Sequence, residues 1–414
     1  MATPLIMKFA MPVFTFSEGR AGCRAGFLFR IRCCCGFALC GLCLIVMPIV
    51  AQSAPCGDWP LWREFGNHFI QPDGRVLADE GEHRYSTSEG QSYALFFALT
   101  ANDRSAFERI LSWTQDNLAG GDLGARLPAW QWGKKPDGTW GVADANSAAD
   151  ADIWLAYTLL EAGRLWDEPR YTAQARLLMA NIRIHLIREI SGIGMVLLPA
   201  ETGFELAGGV RLNPSYYPVH LLRALAKADT SVPWLKVLAN AQATMKAVSG
   251  KGFVPDWVAY QPGVGFMPDK PSGSIGQHDA IRVYLWWGML SRQDALFASL
   301  KSMLVGMDRL IPRELTSPPL AVDTQTGQVS GISPVGFSAA LLPYFTATGN
   351  KVALRLQRER LIAQTDTNTG VLIGQDKRYY DQVLALFGLG FTEQRFSFSS
   401  RGQLVTSWKS SCSK

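Results

Sequence analysis

Thr87-Ser88-Glu89-Gly90-Gln91-Ser92-Tyr93 stands at the head of an apolar run through Leu95, Phe96, Phe97 and Leu99. Ser88 or Thr87 can accept hydrogen bonds from the first free N–H groups of a helix that starts here. Glu89 then falls in the first turn, where a carboxylate gains about 0.3–1 kcal/mol from the helix macrodipole. The same place suits a catalytic acid at the mouth of a helical barrel. The stretch decides the fold because its pattern recurs down the chain.

From Trp59 onward helix follows helix. Largely apolar helices begin near Ser88, Ser147, Asn213, Gln277, Ser333 and Tyr379. Amphipathic partners alternate with them at Trp59–Ile70, Ser105–Leu118, Pro169–Ile187, Trp234–Val248, Gln293–Leu310 and Lys351–Thr365. A helix apolar all round is buried, and an amphipathic one covers it. Six buried and six covering helices describe an all-α (α/α)6 barrel. Gly194–Leu198, Phe253–Tyr260 and Arg395–Ser400 read as short β segments in loops, and Gly120 to Gly138 reads as a loop. Two stacked helical domains are the alternative, but no Pro-, Ser- or Gly-rich linker divides them.

Residues 1–54 read as a signal peptide, leaving 55–414 as one catalytic domain. Lys8, Arg20, Arg24, Arg30 and Arg32 precede the apolar run Gly36–Val50, and Ala51-Gln52-Ser53-Ala54 offers small residues for cleavage. The run is short for a membrane span. With Glu18, the segment carries four of the formal charge of +5. The remainder is nearly neutral, which gives no support for nucleic acid as a partner. Export to the periplasm or beyond, without stable membrane insertion after cleavage, is the expected location.

Six of the eight cysteines lie in this leader. Cys56 and Cys412 remain, one near each end, and an oxidising compartment would let them pair. No cysteine spacing fits zinc or haem, and the five histidines form no ligand cluster. No cofactor or metal is expected.

In such a barrel the inner helices run the same way, so their N-termini meet at one mouth. Glu89, Asp150, Asp152 and Asp279 would stand there together. Several carboxyls without metal-ligating histidines suit glycoside hydrolysis. One acid protonates the leaving oxygen and another carboxylate activates water, ~6.5–9.5 Å away in inverting enzymes. Crowding and burial would keep one of these groups protonated. Flat rings on loops suit the apolar faces of sugars, and Trp130 and Trp132 flank a Gly/Pro-rich loop ahead of an acidic cluster. Trp113, Trp154, Trp166, Trp286 and Trp287 fall mid-helix and read as packing.

TSEGQSYAL at Thr87, SAADADIWLAYTLLEAGRLW at Ser147, NPSYYP at Asn213 and HDAIRVYLWWG at His278 resemble glycoside hydrolase family 8, the cellulase D family. RLPAWQWGKK, PVGFSAALLP and YYDQVLALFG resemble more closely the endoglucanases encoded with bacterial cellulose synthase subunits. The resemblance runs from about Cys56 to the C-terminus. It implies an inverting endo-1,4-β-glucanase acting on a β-1,4-glucan chain, with cellulose synthase or export machinery as a partner. It also implies roles: Glu89 the general acid, Asp279 the base, and Asp150 an aspartate holding the central sugar. Arg282 would steer Asp279, and Tyr216 and Tyr380 would lie near the reacting sugar. Ala149 departs from the usual Ser or Thr before Asp150, and Leu155 and Thr158 replace the usual Ile/Met and Ser/Ala.

Other readings stay open at this point. The same chemistry could act on chitosan, xylan or mixed-linkage β-glucan. A non-catalytic glucan-binding subunit would not need all three carboxyls, and a lyase would use Tyr, His and Arg against uronic acids.

Overall fold

The structure is a computed structural model that describes residues 57–410 apart from 79–80 and 83. The segment read as a leader and the two cysteines expected to pair, Cys56 and Cys412, lie outside the described residues. The helices are α1 (Pro60–Phe69), α2 (Ser88–Thr100), α3 (Arg104–Leu118), α4 (Ala149–Trp166), α5 (Pro169–His185), α6 (Val219–Ala228) and α7 (Trp234–Val248). They continue as α8 (Ala280–Met289), α9 (Phe297–Met303), α10 (Gly306–Leu310), α11 (Val335–Thr348), α12 (Lys351–Ala363), α13 (Tyr379–Thr392) and α14 (Ser407–Ser410).

The fold is an (α/α)6 barrel. The inner ring runs α2, α4, α6, α8, α11, α13, each packed on the next. It closes where Phe387 of α13 meets Tyr93, Phe96 and Phe97 of α2. Helices α3, α5, α7, α9 and α12 back their inner partners, and α1 packs against α13. The sequence dictates this division. In α2 every residue except Glu89 is buried, whereas α3 buries a stripe through Phe107, Ile110, Leu111, Trp113 and Leu118.

Aromatic rings fill the barrel axis. Trp154 lies 5.6 Å from Tyr93, 5.3 Å from Trp286 and 5.1 Å from Phe387, centroid to centroid. The mid-helix tryptophans therefore pack, as their positions imply. The C-terminal hairpin Phe396–Phe398/Leu404–Thr406 closes the far end. Phe398 sits 4.1 Å from the His220 ring, and the Tyr157 hydroxyl donates to the Gly402 carbonyl at 2.8 Å. A Cβ on Gly402, whose φ is +78°, would fall 1.9 Å from the His220 carbonyl oxygen, so only glycine lets the hairpin seat.

Two expectations need correction. The outer helix read over Gln293–Leu310 is two short helices, α9 and α10. It is delayed because Asp294 turns back to accept from Leu296 N while pairing with Arg223. It breaks at Leu304 and Val305, just ahead of Gly306, where a Cβ would come within 2.6 Å of the Phe253 ring. The stretch Gly120–Gly138, read as a loop, ends in a β-hairpin, Gln131–Lys134 against Trp140–Asp144. Pro136-Asp137-Gly138 is a turn signature that marks it.

Candidate active site

The N-termini of α2, α4 and α8 meet at one mouth. Thr87 caps α2, its hydroxyl accepting from Gly90 N at 3.0 Å, so of the two candidates Thr87 takes the task. Glu89 follows as the one residue of α2 left unburied. The main chain of Trp130 ties this start to the next: its carbonyl accepts from Ser88 N at 2.9 Å and its N–H donates to Asn146 O at 2.7 Å. Asn146 leads into α4, where Ala149 N donates to Pro199 O at 2.8 Å and Asp150 and Asp152 occupy the first turn. The start of α4 carries no side-chain cap and is held by this backbone tether to another loop.

Arg282 gathers the carboxylates. Its Nη1 donates to Glu89, and its Nη2 lies 2.7 Å from Asp279 and 3.5 Å from Asp150. Nη2 also donates to the Ser215 hydroxyl at 3.0 Å. The side chain is 4% exposed, so the pairs act with little solvent screening. Arg282 lies three residues after Asp279, which puts both on one face of the α8 start.

The sequence implied one crowded, protonated acid, and the structure places that character on Asp150. Burial drives its pKa up to about 7. Arg282 opposes the rise, while Glu89 and Asp279 add to it. Asp256 is likewise pushed up to about 7, by burial and then by Asp279. Asp152 is fully buried with neither oxygen hydrogen-bonded, and burial holds it well above the carboxylate range. It is a neutral acid that supports neither the helix start nor its neighbours by hydrogen bonding.

The aromatic candidates divide. The Tyr216 ring lies 5.8 Å from the Arg282 guanidinium and 6.0 Å from Trp257, so it belongs to the mouth. Tyr380 lies there too, and its hydroxyl donates to the His278 carbonyl at 2.7 Å, holding the segment that carries Asp279. Trp132 packs away from the carboxylates, with Arg75 4.3 Å over its ring and Trp113 and Trp140 beside it. On that hairpin the open ring is Trp140, 48% exposed.

Sequence reasoning missed Ser215 and Asp256, whereas Trp257 was legible as a ring in a loop ahead of an inner helix. Ser215 sits inside the Asn213-Pro214-Ser215-Tyr216 turn, and its hydroxyl also donates to Asn213 at 2.7 Å. A large cavity of about 1110 Å³ opens at the other end of α2. Its two carboxylates are committed: Asp58 pairs with Arg63, and Asp103 caps α3 and accepts from Trp62. The uncommitted carboxyls gather instead at the Glu89 mouth. Among the described residues no group of three His, Cys, Asp or Glu could hold a metal, and no helix is long and apolar enough to cross a membrane.

Comparison with known proteins gives the family. Residues 39–394 match the family described as glycosyl hydrolases family 8. An endoglucanase of Xanthomonas axonopodis pv. citri is 43% identical, over 88% of this chain and 94% of the relative. One from Escherichia coli K12 is 40% identical, over 89% of this chain and 96% of the relative. Among solved structures, the endo-1,4-D-glucanase from Vibrio fischeri ES114 superposes with a TM-score of 0.79 at 40% identity, covering 85% of this chain and 99% of that one.

Proposed function

Because the chain belongs to glycosyl hydrolases family 8, and so is a glycoside hydrolase, we propose that it is an endo-1,4-β-glucanase that inverts the anomeric centre. Glu89, having taken up a proton from solvent before the reactive complex forms, passes it to the glycosidic oxygen as the bond to C1 breaks. Asp279 takes a proton from water as the water oxygen bonds to C1 from the opposite face. The cut leaves one new reducing end of inverted configuration and one free hydroxyl. Asp279 is then protonated and Glu89 ionised, and solvent exchange resets both.

One observation carries the reading: a single buried arginine meets Glu89, Asp150 and Asp279 at the barrel mouth. An acid held near pH 7, as Asp150 is, can donate a hydrogen bond to a sugar hydroxyl without adding a third charge. Tyr216 and Trp257 offer ring faces beside it, and Trp130 lies where the two acid-bearing helices are tied. The leader sequence supports action in the periplasm or outside the cell, beside a cellulose synthase or export machine.

The test uses carboxymethylcellulose, following viscosity and reducing ends together, with Glu89→Gln as control. A fast viscosity fall with few new ends, absent in the variant, supports internal cleavage. Cleavage of chitosan or xylan alone would move the substrate assignment, and a retained anomer by NMR would overturn inversion.

A further inference from the structure

Asp279 occupies the N-cap position of α8 and yet caps nothing. Its side chain makes no capping hydrogen bond, and its backbone is already helical at φ −80° and ψ −46°. An aspartate at a helix start ordinarily spends its carboxylate on the first N–H groups of its own helix. Here the demand is met elsewhere: Ile281 N donates to Gln277 O and Arg282 N to Asp279 O, both at 3.1 Å, and Ala280 N goes to a residue outside the helix. Asp256, in the separate segment Val254-Pro255-Asp256-Trp257, accepts from Gln277 N at 2.7 Å and from Ala280 N at 2.8 Å through one oxygen. Its own N–H donates to Ile275 O at 2.9 Å. The two segments approach closely because residue 276 is glycine: a Cβ there would lie 2.2 Å from the Val254 carbonyl oxygen.

We propose that Asp256 is a positioning residue for hydrolysis, capping α8 from outside so that the Asp279 carboxylate is left free to face Arg282 and the attacking water. The inference rests on the reading of Asp279 as the base. Without Asp256 the Gln277 and Ala280 N–H groups lose their shared acceptor, and the turn that carries Asp279 is free to shift its carboxylate away from Arg282 without any unfolding. The chain thus divides two tasks between two aspartates, one for the helix end and one for the chemistry. Asp256 performs its task as a neutral acid as well as an ion, since either form presents the accepting oxygen. The charged and titratable groups acting on it are Asp279 and Arg282. Its charge reaches Tyr380 as well, and His278 stands in the same clamped segment.

The test compares Asp256→Ala and Asp256→Asn in the whole protein on a soluble cello-oligosaccharide, with kcat, KM and melting temperature measured for each. Alanine removes the acceptor, and kcat falls at least tenfold with KM within about twofold. Asparagine keeps a carbonyl oxygen in place and recovers most of that loss. If alanine does not fold, asparagine alone decides: a kcat within about threefold of the parent supports the cap, and a tenfold fall overturns it.

A cycle separates positioning from general support. Asp279→Ala is assayed with sodium azide, which attacks C1 without needing a base. Asp256→Ala added to that background leaves the azide reaction unchanged if Asp256 acts through Asp279. An equal loss in both backgrounds overturns the proposal. If Asp279→Ala keeps full hydrolysis without azide, the base assignment has failed, a result distinct from failure of the cap.

Discussion

Arg282 and Glu89 form an ion pair across 193 positions of the chain. The pair joins the starts of two inner helices, α2 and α8, that are not neighbours in the ring. It also sets the charge at the mouth. One guanidinium meets Glu89 and Asp279 at opposite nitrogens and a third acid, Asp150, its pKa raised to about 7, beside them.

Glu89→Gln keeps a hydrogen-bond acceptor for Arg282 and removes the transferable proton. General acid catalysis contributes about 10²–10⁴-fold, so kcat on carboxymethylcellulose should fall by that order. The melting temperature and glucan retention on an affinity gel should stay near the parent values. Unchanged turnover would remove Glu89 from the role of acid.

Arg282→Met leaves Glu89, Asp150 and Asp279 without their shared cation. Breaking a buried ion pair from one side costs about 3–5 kcal/mol, read as a drop of several degrees in melting temperature. Turnover should fall at least a hundredfold. Arg282→Lys should recover only part of both, because one ammonium cannot present the two-pronged face. Full recovery with lysine would show that charge alone is needed.

Asp150→Asn should stabilise the protein at alkaline pH. The Asp150 pKa is raised from 3.8 to about 7, so the folded state binds the extra proton between those values. Its contribution is fully present below the lower value and is lost as pH rises through about 7. Melting curves at pH 4 and pH 8.5 should show the variant gaining several degrees on the parent at the higher pH and little at the lower. Activity should drop in parallel, since the amide cannot match the acid. An equal shift at both pH values would contradict the titration.

His220 acts in the opposite sense. Burial lowers its pKa to about 3, and neither ring nitrogen has a partner. The unfolded chain takes up a proton near pH 6.5 while the folded one does not. Stability is therefore lost as pH falls from about 6.5 toward 3, by roughly 1.4 kcal/mol per unit. His220→Phe keeps a ring against Phe398 and should flatten the decline in melting temperature between pH 6.5 and 4.5. A decline as steep as the parent's would show that other groups set acid stability.

Much of this was legible in residue order, and the reasons are local. Helices apolar all round can only be inside, so the starts at Ser88, Ser147 and Tyr379 mark the inner ring. Glu89, Asp150 and Asp279 share one mouth because parallel helices put like ends together. Arg282 was visible as one turn beyond Asp279, but its reach to Glu89 depends on closure of the ring. Asp256 gave no signal, since a cap supplied from 24 positions away has no spacing rule. Trp132 looked like a sugar platform because the hairpin that turns it toward Trp113 was read as a loop. Cys56 and Cys412 lie outside the described residues, and thiol titration of exported protein is the direct measure of their state.

Closure of the ring by Phe387 against α2 has a kinetic meaning. The first inner helix finds its last neighbour nearly three hundred residues later. Until α13 is made, Tyr93, Phe96 and Phe97 face an open seam, and the hairpin that stoppers the far end follows later still. A growing chain therefore holds a sticky, incomplete ring until synthesis is almost over. Loop-closure entropy is paid in full before the final contacts return it. Truncation anywhere before Tyr379 should yield a species that aggregates instead of a smaller working barrel.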